Sequence, residues 1–109
     1  MATPSNSTEL ACRFDPKYGH VMRGEILGGE QHLFRFENGF GASVVRYAGS
    51  YGGESGLWEM ALIRWAGESF ELVYDKDKFV DVRGWLDPEG VKELLDWAVA
   101  LPSDYDVDC

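Results

Sequence analysis

The chain has 109 residues, 45% of them apolar and 14% aromatic, and a formal net charge of −9. That length holds one domain with a single core, and that much apolar and aromatic surface excludes a wholly disordered chain. The charge is uneven: residues 1–66 carry seven acids and six bases, residues 67–109 twelve acids and four bases. An acidic C-terminal part repels nucleic acid and anionic membrane and favours a basic partner.

In chain order, residues 1–9 are polar and read as a frayed N-terminus, without the basic and apolar stretches of a secretion signal. Residues 10–102 read as one domain and 103–109 as an acidic C-terminal tail. A first strand is expected over His20–Leu27, followed by a turn at Gly28-Gly29. His32–Glu37 alternates, with His32, Phe34 and Phe36 on one face. Asn38-Gly39 then signals a tight hairpin, because both residues tolerate positive φ. Ala42–Tyr47 resumes the sheet, and Leu57–Trp65, apolar on both faces apart from Glu59 and Arg64, reads as a central strand. After a turn at Ala66–Ser69, Phe70–Tyr74 alternates again. Consecutive strands with short turns imply an antiparallel meander.

The C-terminal helix has the plainest signature. Asp87 suits an N-cap and Pro88 the first helical position, where its missing N–H costs nothing. Val91, Leu94, Leu95, Ala98 and Leu101 recur at helical spacing, and Pro102 ends the run. The expected fold class is therefore α+β, an antiparallel sheet of four to five strands with one amphipathic helix packed on it.

Between two strands lies the loop Ala48–Gly56, rich in Gly, Ser and Tyr. It lacks the Gly-Lys-Ser/Thr ending of a phosphate loop, the G-x-G-x-x-G fingerprint and the G-x-S-x-G elbow, and a strand rather than a helix follows it. A flexible connection or a binding loop remains, with Tyr51 and Glu54 as the contact residues. Two histidines, His20 and His32, and two cysteines, Cys12 and Cys109, show no metal-ligand spacing. Asp104–Asp108 opens like a calcium loop but lacks its glycine and distal glutamate. No cofactor or metal is expected, and both thiols are expected to be reduced. No apolar run reaches the ~18 residues of a membrane span. Glu59 is the one acid embedded in an apolar strand, and a cross-strand set with Arg35, Arg46 and Arg64 is expected to hold it. With no nucleophile–base pair at readable spacing, a non-enzymatic role is expected. The acidic helix face, Asp87, Glu89, Glu93 and Asp96, reads either as a merely solvated face or as a docking surface, since carboxylates along a helix can occupy Lys/Arg sites that otherwise hold phosphates.

Phe36–Val45, Tyr51-Gly52-Gly53, Gly56–Ala61, Tyr74-Asp75 and Gly84-Trp85-Leu86 together resemble a family of small uncharacterised bacteriophage and prophage proteins, over roughly residues 34–101. The resemblance implies a phage origin and a life in the cytoplasm of a bacterial host, and brings no established activity with it. Phage accessory proteins of this size are often inhibitors of host machinery, CRISPR–Cas and restriction systems included. By that analogy the expected function is binding, and inhibiting, a host protein with a basic surface through Tyr51, Glu54, Asp87, Glu89, Glu93 and Asp96, without direct nucleic-acid or membrane binding. The alternative is a small structural or assembly protein acting through self-association as a homo-oligomer.

Overall fold

The computed structural model describes residues 10–108; the expected frayed segment 1–9 and Cys109 lie outside them. Six strands make one antiparallel sheet: β1 (His20–Ile26), β2 (Gly29–Arg35), β3 (Phe40–Arg46), β4 (Trp58–Ala66), β5 (Ser69–Leu72) and β6 (Arg83–Leu86). One helix, α1 (Pro88–Val99), packs on it. β1 to β5 follow one another as a meander, the α+β architecture expected from the sequence. The sixth strand was not foreseen. β4 is long enough for its outer edge to serve two partners: Ile63–Ala66 pairs with β5, and Trp58–Met60 pairs with β6.

Strand parity decides what each face does. His32, Phe34, Val44, Ala42, Trp58, Met60 and Leu62 point toward α1 and are buried. From the helix, Val91, Leu94, Leu95 and Ala98 meet them, with Leu10 and Tyr18 from two short 3₁₀ turns, Ala11–Phe14 and Pro16–Tyr18, sealing the side. Each such aliphatic side chain contributes about 1.5–3 kcal/mol by leaving water. The opposite face carries Leu33, Val45, Ala61 and Ile63, also buried, and no α-helix among the described residues packs on it.

Two turns differ from expectation. The β2–β3 hairpin is closed by Phe36 N–H to Phe40 O (2.8 Å) and Gly39 N–H to Phe36 O (3.1 Å), a three-residue loop in which Gly39 (φ 92°) has positive φ and Asn38 does not. Asn38 keeps ordinary φ because its side chain is occupied. Its Nδ2 donates to the carbonyls of Ala98 (2.9 Å), Leu101 (2.9 Å) and Val99 (3.3 Å), and its Oδ1 accepts from Phe40 N–H (2.9 Å). The hairpin thus caps the C-terminus of α1. The β1–β2 connection falls on Leu27-Gly28 (φ 49° and 80°) rather than Gly28-Gly29, because Gly29 is already paired with Ile26.

At its start α1 follows the sequence reading. Asp87 is the N-cap, its carboxylate accepting from Gly90 N–H at 2.7 Å, and Pro88 is the first helical residue. The tail is acidic as expected, with Asp104, Asp106 and Asp108 exposed, but it is also anchored. Tyr74 and Asp108 exchange backbone hydrogen bonds of 2.7 and 2.8 Å, and Tyr105 donates its hydroxyl to Asp75 at 2.9 Å. Asp75 is buried. Its carboxyl is held below the usual carboxylate range: burial alone would raise it, but the bonds from Phe79 N–H and Tyr105 outweigh that.

Candidate functional site

The loop and β6 build the most distinctive surface of the molecule. Opposite Trp58 and Met60 stand Leu86 and Arg83, so Gly84 and Trp85 together face the single residue Glu59. The extra residue makes a β-bulge, and Trp85 takes a left-handed backbone, φ 59°. For a bulky aromatic that is a genuine outlier, held only because its surroundings over-determine it. Those surroundings are the loop 48–56: Trp85 N–H donates to Tyr51 O at 3.0 Å, and Tyr51 N–H donates to the Glu59 carboxylate at 2.9 Å. Glycine is required at the contact, since a Cβ on Gly84 would lie 2.2 Å from the Tyr51 Cβ. The loop is thus pinned to β6. Its Ser50 is buried, with Oγ donating to Tyr47 O (2.7 Å) and accepting from Tyr47 N–H (3.0 Å).

This pinning leaves Tyr51 61% and Trp85 64% exposed, and with Ala48, Ser50, Gly52 and Glu54 they line a depression of about 230 Å³. The expected contact residues Tyr51 and Glu54 therefore meet at one place. Trp85, their neighbour across the depression, was missed. Its only local signal is the exposed, Gly-flanked aromatic itself, because the bulge depends on pairing with a strand some 25 residues earlier.

The acidic helix residues divide by role. Asp87 is spent on the N-cap. Asp96, half-exposed, receives the Tyr18 hydroxyl and pairs with Lys92 (2.9 Å) and Lys17 (3.3 Å). Tyr18 first and the lysines after it hold the Asp96 carboxyl down to about 2, while burial and then Asp96 push the Tyr18 phenol up. Glu89 and Glu93 are exposed, Glu93 beside a depression of about 310 Å³ that Lys78, Arg83, Leu86 and Trp97 also line. Leu86 and Arg83 face the helix side and Trp85 the other, so the two groups of expected contact residues lie on opposite faces of the sheet.

The arginine set expected around Glu59 does not form. Arg46 and Arg64 point to the helix side by parity, where Arg46 pairs with Glu30 (2.7 Å) and Arg64 with Glu71 (3.4 Å). Arg35 shares the face of Glu59 but sits four β4 positions along it, opposite Gly41 and Ile63, stacked on Trp65 at 5.0 Å. Glu59 serves the loop instead.

No known protein family, curated protein or solved structure matches this chain.

A second polar cluster lies under the sheet's β1 edge. His20 Nε2 and His32 Nδ1 are 2.9 Å apart, His32 Nε2 and Glu30 Oε2 3.0 Å, and Glu30 also meets Arg23 at 3.5 Å. Arg46 reaches over the Trp58 ring at 4.1 Å and donates to Gly56 O. Burial lowers both imidazole pKa values, for His32 against the pull of Glu30. With Glu30 ionised and both rings neutral, each proton has an acceptor: His20 Nε2–H to His32 Nδ1, His32 Nε2–H to Glu30. His32 is buried and His20 and Glu30 partly so, and this chain of groups ties β1, β2 and β3 together. Among the described residues no three His, Cys, Asp or Glu side chains are placed to hold a metal ion, Cys12 is a free, half-buried thiol, and no helix is long and apolar enough to cross a membrane.

Proposed function

We propose that this is a non-enzymatic binding domain that engages a basic surface on a host protein. The observation that carries the reading is the exposed acid of the helix side. Glu89 and Glu93 on α1 and Asp104, Asp106 and Asp108 on the anchored tail stand in solvent on a chain of net charge −9. Carboxylates on a rigid helix and a tied-down tail are a fixed array, and a fixed array steers a cationic partner better than a mobile one. In its sharpest form the partner is a nucleic-acid-processing defence complex of a bacterial host, whose phosphate-binding Lys/Arg groove this array occupies as an inhibitor. The test is affinity capture from host lysate, identification of the bound protein, and repetition with Glu89→Lys/Glu93→Lys at low and high salt. Capture should weaken with salt and with charge reversal; a captured protein indifferent to both refutes the reading.

A second reading, self-association, is favoured by the sheet face opposite α1. There Leu33, Val45, Ala61 and Ile63 are already buried within the chain, but Met22 and Leu72 on the same face are each 42% exposed. Light scattering over a dilution series decides it: a stable dimer supports this reading, and a monomer at all concentrations removes it.

A further inference from the structure

We propose that Tyr51, Trp85 and Glu54 form a receptor for the guanidinium group of an arginine side chain presented by a basic partner. The site lies on the face opposite the helix, so the inference goes beyond the acidic-helix reading and stands or falls separately from it. It starts from what the four tryptophans do. Trp58 lies beneath Arg46 at 4.1 Å and Trp65 beneath Arg35 at 5.0 Å, while Trp97 packs against Phe79 and Tyr105. Trp85 alone is held out to solvent, at 64% exposure. The fold thus twice satisfies an indole face with one of its own arginines, and at Trp85 leaves such a face open.

What surrounds that face selects a cation. Tyr51 supplies a second, 61% exposed ring on the same depression of about 230 Å³, and Glu54 supplies an exposed carboxylate on its rim. Two π-systems and an anion attract a positive charge, and a planar guanidinium can lie against a ring while donating to a carboxylate, which an ammonium does less well. The site is also pre-organised. The Trp85 N–H to Tyr51 O bond, the bulge and the Glu59 anchor on Tyr51 N–H fix the two backbones side by side before any ligand arrives, so only side-chain ordering falls on binding.

The probe is N-acetyl-arginine amide, titrated into the ¹⁵N-labelled full chain while the Trp85 indole N–H resonance, identified by its loss in Trp85→Phe, is followed. N-acetyl-citrulline amide, the neutral isostere, is the control. A saturable shift at Trp85 with arginine and none with citrulline is expected. Tyr51→Ala and Glu54→Gln should each weaken binding about three- to thirty-fold, with circular dichroism and the remaining resonances showing each variant folded. Glu89→Lys/Glu93→Lys should leave this titration unchanged. Equal shifts from both probes, no saturable shift, or a shift that survives Tyr51→Ala overturns the proposal. If arginine fails to bind while helix charge reversal still abolishes target capture, the arginine site falls and the acidic-helix reading stands.

Discussion

Asn38 is where the sheet and the helix are tied by a single side chain, and truncating it measures that tie. Its amide donates to three carbonyls at the end of α1, at 2.9, 2.9 and 3.3 Å, and accepts from Phe40 N–H at 2.9 Å. An amide has two N–H bonds, so the longest contact is a shared one. Two good donated bonds and one accepted bond are then at stake, at about 0.5–1.5 kcal/mol each. In Asn38→Ala the carbonyls at the helix end regain some water, which places the expected loss at about 2 kcal/mol. For a domain of this size that is a fall in Tm of roughly 10 °C. Asn38→Asp keeps the acceptor for Phe40 N–H, yet it loses both donors and sets a carboxylate against the negative end of the helix, a further penalty of about 0.3–1 kcal/mol. The retained Phe40 bond offsets that penalty, so both variants are expected below wild type by comparable amounts. Urea denaturation followed by fluorescence gives all three values, with an unchanged m confirming that only stability moved. A loss below about 0.5 kcal/mol for Ala, or an Asp variant near wild type, would show that the hairpin does not cap the helix.

Leu27 stands at φ 49° and is 77% exposed, a left-handed position that brings an aliphatic residue no burial in return. Leu27→Gly or Leu27→Asn should raise stability by about 1 kcal/mol, and a destabilised variant in thermal melts would contradict the assigned turn. The pH dependence has two stages. His20 and His32 have folded pKa values below the ordinary 6.5, so the unfolded chain binds more protons there, and stability should fall as pH drops below about 6.5. Glu30 is depressed below 4.5 by Arg46 and His32 despite burial, so its contribution is present above that value and is lost on further acidification. Comparing urea midpoints at pH 7 and pH 5 tests the first stage. His32→Gln should shrink the difference between them, and equal wild-type midpoints would refute it.

What could be read from the sequence was whatever is decided within a few residues. Asp87-Pro88 announces the helix start, and the alternation of His32, Phe34 and Phe36 assigns the buried face, because period and cap chemistry are local properties. β6 escaped because four residues containing a glycine and a left-handed tryptophan have no strand signature of their own. Trp58 and Met60 make them a strand. Asn38 was recognised as a turn residue, yet its conformation answers to carbonyls some sixty residues away. The expected Glu59–arginine set failed on parity, since proximity of strands was foreseen without the register that sends Arg46 and Arg64 to the other face. At the candidate site, Tyr51 and Glu54 were legible as loop residues of contact-making types. Trp85 was not, because the bulge that turns it outward exists only once β6 has docked.

The division of one β4 edge between two short strands has a consequence for motion. β5 holds Ile63–Ala66 and β6 holds Trp58–Met60, so neither strand must release for the other to open. The aromatic site joins the loop to β6 by the Tyr51–Trp85 bond and to β4 by the Tyr51–Glu59 bond, and β6 itself is held by a short stretch of ladder. Amide exchange at the Trp85 N–H should therefore report a local opening with a lower free energy than global unfolding, while the β3–β4 amides exchange only with the whole domain. The surface that meets a ligand can breathe on its own, and a ligand that closes it would slow exchange at β6 while leaving the meander's protection as it was.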